Sequence, residues 1–167
     1  TLSHCPEFGI HYRLIYFIWK KRQFFPEAKR EIPHLKLVLY TLVGAMLCSL
    51  IGGVYIFFVQ KWLPHLLETP VGEHQLALFI LICICAPIVE EYLFRMLLFN
   101  GLNRTFSLKF SLLATALVFA AVHPGVSFIP VFCLGLACTY IYSKSKKIIY
   151  PIMLHAIYNF VVVMVLQ

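Results

Sequence analysis

An all-α, multi-pass bundle of about five transmembrane helices is the fold class this sequence predicts. Three observations carry the expectation. The 167 residues are 61% hydrophobic and 13% charged, where ordinary soluble domains are about 45–50% apolar and roughly a quarter charged. The apolar residues come in long runs, and in lipid a helix satisfies its own backbone polar groups. The Lys and Arg residues gather in alternate connections between those runs, the pattern of a chain threaded back and forth across a bilayer.

The elements follow in order. Residues 1–36 are basic in "KKRQFFPEAKRE" and aromatic in "IHYRLIYFIW", which suits a cytoplasmic or interfacial segment. Thr1 in place of Met reads as a truncated or processed start. No cleavable signal peptide is expected, because the first long apolar run begins near Leu37 and is long enough to span. Residues 37–167 read as the transmembrane domain. The first span, Leu37–Val59, carries no charge, and the second, Leu76–Phe99, is interrupted by Glu90, Glu91 and Arg95. The third, Phe110–Val122, runs into "HPG"; the fourth is Val126–Tyr142 and the fifth Ile148–Leu166. A crossing takes about 20 residues, so the third and fourth are short and fit as tilted helices inside a bundle. The six cysteines lie mostly inside apolar runs. They read as small buried hydrophobes, not as a disulfide framework.

The net charge of +7 invites a nucleic-acid partner, but its placement points to topology and no nucleic acid is expected. Seven of the Lys and Arg residues precede the first span, two lie in 100–109 and three in 143–147, while 60–75 holds only Lys61. That bias places the N-terminal segment in the cytoplasm and Gln167 outside.

Helical rise then gives depth. Measured from the inner side, Glu90 lies about 15 Å deep, His123 about 21 Å, His155 about 12 Å and Asn159 about 18 Å. In a hydrocarbon core about 30 Å thick, these four groups from three helices share a middle layer. A carboxylate there costs about 2.5–3.5 kcal/mol even on a lenient scale. Glu91 and Arg95 are spaced i, i+4 and can pair, which is a structural use. Glu90 points about 100° away and has no partner on its own helix. His155 and Asn159 are again i, i+4 and can face one cavity. His123 immediately precedes Pro124, where the helix ends.

Such a set suits peptide hydrolysis, which needs a base for water and donors for the developing oxyanion. Glu plus His supplies the first, and His plus Asn the second. Glu90, His123 and His155 could alternatively hold a divalent metal such as zinc, whose bound water attacks. No Ser at this depth has a His–Asp pairing, and neither G-x-x-x-x-G-K-[ST] nor G-x-G-x-x-G occurs. The rival readings are a non-catalytic membrane scaffold, a haem protein ligated by His123 and His155, and a proton-coupled carrier.

Three motifs carry a resemblance. "EEYLFR" (90–95) fits E-E-x-x-x-R, "FAAVH" (119–123) fits F-x-x-x-H, and "HAIYN" (155–159) fits H-x-x-x-[ND]. In this order, across roughly residues 76–165, they resemble the CAAX protease and bacteriocin-processing (Abi) family, which includes the Ras-converting prenyl-protein endopeptidases. Gly135 in "FCLGLA" is similar to the small residue that the family tends to carry between the second and third motifs. The resemblance implies an intramembrane endopeptidase with its catalytic core at about 76–165. It implies Glu90 as base, His123 orienting and activating water, His155 and Asn159 polarising the scissile carbonyl, and Glu91 and Arg95 in support. It implies a peptide or protein substrate, membrane-associated or C-terminally lipidated for some relatives, contact with membrane lipids, and a bacterial-type plasma membrane. It leaves metal-assisted and metal-free forms open. The lack of H-E-x-x-H and the presence of Asn159, a poor zinc ligand, lean towards the metal-free form. A bacteriocin self-immunity protein is the non-catalytic alternative in the same family. The family's usual larger number of spans agrees with a truncated chain.

Overall fold

The computed structural model describes residues 32–63, 75–123 and 127–166. Residues 1–31, 64–74, 124–126 and 167 lie outside the described residues, so the expectations for the basic N-terminal stretch and for the chain just after His123 fall there. Among those described the chain is helical almost throughout, with no strand, so the all-α expectation holds. The helices are α1 (His34–Trp62), α2 (Leu76–Thr105), α3 (Leu108–Ala121), α4 (Phe128–Ser145) and α5 (Ile149–Leu166). Each covers one of the five apolar runs. The first, second and fourth are long and apolar enough to cross a membrane, while α3 and α5 are shorter apolar helices. Leu50 and Phe57 of α1, and Ile84, Val89 and Tyr92 of α2, are exposed. Apolar surface on this scale belongs in lipid, and the chain is an integral membrane protein.

In α1 nearly every position is apolar, so polarity cannot say which face packs. Size says it instead. The buried residues are Leu37, Thr41, Ala45, Cys48, Gly52, Ile56 and Val59, one stripe at helical spacing with small residues in its middle. Small side chains let helix backbones approach where no hydrophobic effect drives them together. Gly52 shows why: a Cβ there would stand 3.0 Å from the Tyr158 hydroxyl of α5.

The α4 helix is the centre of the bundle and packs against α1, α3 and α5. Where it meets α3, a Cβ on Gly135 would lie 3.0 Å from the Phe119 ring and 3.2 Å from the Cα of Ala116. One neighbour is a fully buried ring and the other is backbone, so neither yields easily. The first part of α2, Leu81–Glu91, packs on α5, while its continuation, Tyr92–Phe99, packs on α3. The helix therefore crosses from one neighbour to the other at its two glutamates. Of the five described cysteines all are free; Cys48, Cys83 and Cys138 are buried as expected, but Cys85 is exposed on α2, on the face that carries Ile88 and Val89.

Gly135→Leu is expected to lower stability by about 1–3 kcal/mol, the usual range for overpacking a filled contact, as read by thermal unfolding in detergent. Gly53→Leu, where a Cβ meets nothing within 4 Å, should leave the melting temperature unchanged.

Candidate active site

The site begins with a flaw in α2. Pro87 sits inside the helix, where its ring crowds the Cys83 carbonyl four residues back and its nitrogen has no proton to donate. The helix widens in response. The Ala86 N–H bonds to Leu81, five residues back, and Leu81–Cys85 forms a π-helical turn. A second wide segment covers Tyr92–Phe99. Between them, Ala86–Glu91 is ordinary α-helix and carries both glutamates. Wide turns of this kind are frequent at functional sites.

Glu91 points inward and is fully buried, as is Arg95. The Arg95 Nε stands 2.8 Å from Glu91 Oε2, but its N–H is not aligned on that oxygen, so the pair is in ionic contact without a good hydrogen bond. The second oxygen is better served: His155 Nδ1 lies 2.8 Å from Glu91 Oε1. A carboxylate paired with a guanidinium only accepts, so Nδ1 carries the proton. Arg95 also reaches the Gly135 carbonyl with Nη2 at 3.5 Å, an oxygen already taken at 2.6 Å by the Thr139 hydroxyl. Its guanidinium lies 4.7 Å from the centroid of the Phe119 ring, a cation–π contact worth up to about 2 kcal/mol when desolvated.

Glu90, one residue earlier, turns away and keeps 28% of its side chain exposed. His123 follows the last turn of α3, with Nδ1 2.7 Å from the Phe119 carbonyl. That oxygen can only accept, so this Nδ1 carries a proton as well. Both imidazoles are thus anchored by Nδ1 and present Nε2 to Glu90. The distances to Glu90 Oε2 are 3.6 Å from His123 and 3.9 Å from His155. These exceed hydrogen-bond length, and Glu90 Oε2 has no hydrogen-bond partner within the protein.

Phe119 does more than pack. The His123 ring lies 4.8 Å from it and the His155 ring 5.6 Å, edge to face, with Phe94 on another side at 4.9 Å. One aromatic ring thus touches Arg95 and both imidazoles. Asn159, one turn beyond His155, donates Nδ2–H to the Ile82 carbonyl at 2.9 Å.

Glu90, Glu91, Arg95, His123 and His155 thus come from α2, the end of α3 and α5 into one neighbourhood, with Asn159 one turn beyond His155 and in contact with Ile82 of α2. The sequence reasoning did not find the Glu91–His155 bond, because i, i+4 spacing reports only partners on the same helix. It also gave Phe119 only as part of a motif and passed over Pro87. A proline in the middle of an apolar run was the available signal for the last.

The candidate metal set fits less well. Among the described residues, no three His, Cys, Asp or Glu side chains stand together as a group able to hold a metal ion. The two Nε2 atoms stand 3.6 and 3.9 Å from Glu90 Oε2, wider than the roughly 3.3 Å between ligands that zinc bonds of about 2.0–2.1 Å impose on a tetrahedral site. No step below passes through a metal.

A family profile described as "Type II CAAX prenyl endopeptidase Rce1-like" matches residues 72–161, more than half of the chain and all three motifs. The chain belongs to this family. It is 28% identical over 138 residues to a protein named membrane-embedded CAAX protease MroQ of Staphylococcus aureus (strain USA300), an alignment covering 77% of this chain and 53% of that protein. It is 31% identical over 86 residues to the putative membrane peptidase YdiL of Bacillus subtilis (strain 168), covering 50% of this chain and 35% of that one. The chain thus spans about half the length of the first and about a third of the second. No solved structure matches it.

Glu91→Gln leaves the Arg95 charge buried without its counter-ion, and is expected to cost about 3–5 kcal/mol by thermal unfolding in detergent. Adding Arg95→Met should recover part of that loss, because it removes the orphaned charge.

Proposed function

We propose that this family member is an endopeptidase that hydrolyses a peptide bond within or beside the membrane, using a water activated by Glu90 and His123. The observation that carries the reading is the convergence of Glu90 Oε2 with two Nε2 atoms whose rings are each anchored through Nδ1. Glu90 Oε2 and the Nε2 lone pair of His123 are both acceptors, with no donor between them. A water molecule supplies two O–H groups, one for the Glu90 carboxylate and one for His123 Nε2, and keeps a lone pair for attack.

The steps follow from that arrangement. Glu90 takes the water proton as the oxygen adds to the scissile carbonyl. The carbonyl oxygen becomes an oxyanion and needs donors. Asn159 has one N–H engaged by Ile82 and a second to offer. His155 offers Nε2–H when its ring holds a second proton. Glu90 then passes its proton to the departing amine as the C–N bond breaks, which closes the cycle.

The substrate is a peptide or protein that meets the membrane; the family is described as a CAAX prenyl endopeptidase, and one relative is named a CAAX protease. The fold is multi-pass in this reading. The 100–109 and 143–147 connections, with five of the basic residues, lie in the cytoplasm with the segment before α1. The membrane is of the bacterial plasma type.

Glu90→Gln and His123→Ala should abolish peptide release while leaving insertion intact, and Asn159→Ala should slow turnover by about 10²–10³. Mass spectrometry of peptides released from membranes holding each variant reads all three. EDTA should leave turnover unchanged. Identical peptide profiles from wild type and Glu90→Gln, with both proteins folded and inserted, would return the scaffold or self-immunity reading.

A further inference from the structure

The contact that holds Asn159 has a cause in the sequence. In an α-helix the Ile82 carbonyl would accept from the N–H of residue 86, and in a π-helical turn from that of residue 87. The Ala86 N–H is bonded to Leu81 instead. Residue 87 is proline and has no N–H. Both backbone donors that could reach Ile82 in these registers are therefore withheld, one by the wide turn and one by the ring that causes it. An unpaired carbonyl in an apolar setting is costly, and the donor that satisfies it is Asn159 Nδ2, 2.9 Å away on another helix.

We propose that Pro87 is a positioning residue for Asn159: by withholding a backbone N–H from Ile82, it keeps that carbonyl free to fix the orientation of the Asn159 amide. The contact settles which end of the amide faces Ile82, since a carbonyl accepts only from the nitrogen. The second N–H of the same nitrogen then stays available, on the helix face that Asn159 shares with His155. A carboxamide with no such anchor would flip and present its oxygen half of the time. Substituting alanine restores a backbone N–H at position 87, lets α2 close on its own carbonyls and releases Asn159. The catalytic consequence rests on the reading of Asn159 as an oxyanion donor; the positioning itself does not.

The test separates the two. The chain has three asparagines, Asn100, Asn103 and Asn159, so side-chain amide NMR of protein labelled with 15N-asparagine in detergent gives a spectrum assignable through Asn159→Ala. In Pro87→Ala the Asn159 amide signals should move while those of Asn100 and Asn103 stay. Turnover should fall about tenfold or more, as for a misplaced reacting group, and the melting temperature should hold or rise, because a helix breaker has gone. Pro87→Ala should add no further loss to Asn159→Ala, since both act through one contact. Unmoved Asn159 signals would overturn the proposal, as would losses that multiply in the double variant. Wild-type turnover in Pro87→Ala beside an impaired Asn159→Ala would overturn it too. If Asn159→Ala itself keeps full turnover, the oxyanion role falls, and moved amide signals still support the positioning.

Discussion

The Glu91 carboxylate is wholly buried in a chain that belongs in lipid, and it is held from two directions. Arg95 reaches it from its own helix and His155 from α5. A lone carboxylate at that depth is unaffordable without partners, so α2 and α5 are obliged to pack where the bond can form. The same constraint places Arg95 over Phe119, which ties the next stretch of α2 to α3. The crossing of α2 from α5 to α3 thus follows from one charge and its two partners. Glu90, the next residue along the helix, is turned aside by about 100° and faces the histidines.

Adjacent glutamates consequently have opposite surroundings. Glu91 is sealed, with each oxygen close to a cation or a donor. Glu90 keeps part of its side chain exposed, and one of its oxygens has no partner within the protein. The first arrangement organises, and on the proposed reading the second serves the chemistry. Phe119 links them, because its ring touches Arg95 and both imidazoles while its carbonyl anchors His123. Gly135 allows this by letting α4 approach that ring with no side chain between them. On the proposed reading, a glycine on a helix bearing none of the reacting groups controls how tightly they are gathered.

Much of this was legible in the sequence. Five apolar runs gave five helices, and depth counting brought Glu90, His123, His155 and Asn159 to one layer before any packing was known. The i, i+4 rule found the Glu91–Arg95 pair. What it could not find were partners from other helices, since spacing along a chain says nothing about which helix lies opposite. His155 and Ile82 belong to that class. The packing face of α1 was hidden for a different reason: with apolar residues on every side, only the sizes of Ala45, Cys48 and Gly52 mark it. Cys85 was misread as buried because an apolar residue in a membrane helix can as well face lipid.

The most direct measurement is the protonation of the two imidazoles, by 15N NMR of histidine-labelled protein, with His123 and His155 assigned by substitution. The account predicts a proton on Nδ1 of both rings throughout the pH range in which the protein is folded, because each Nδ1 faces an oxygen that only accepts. A bare Nδ1 in either ring would contradict it, because that ring would have lost the anchor on which the site is built.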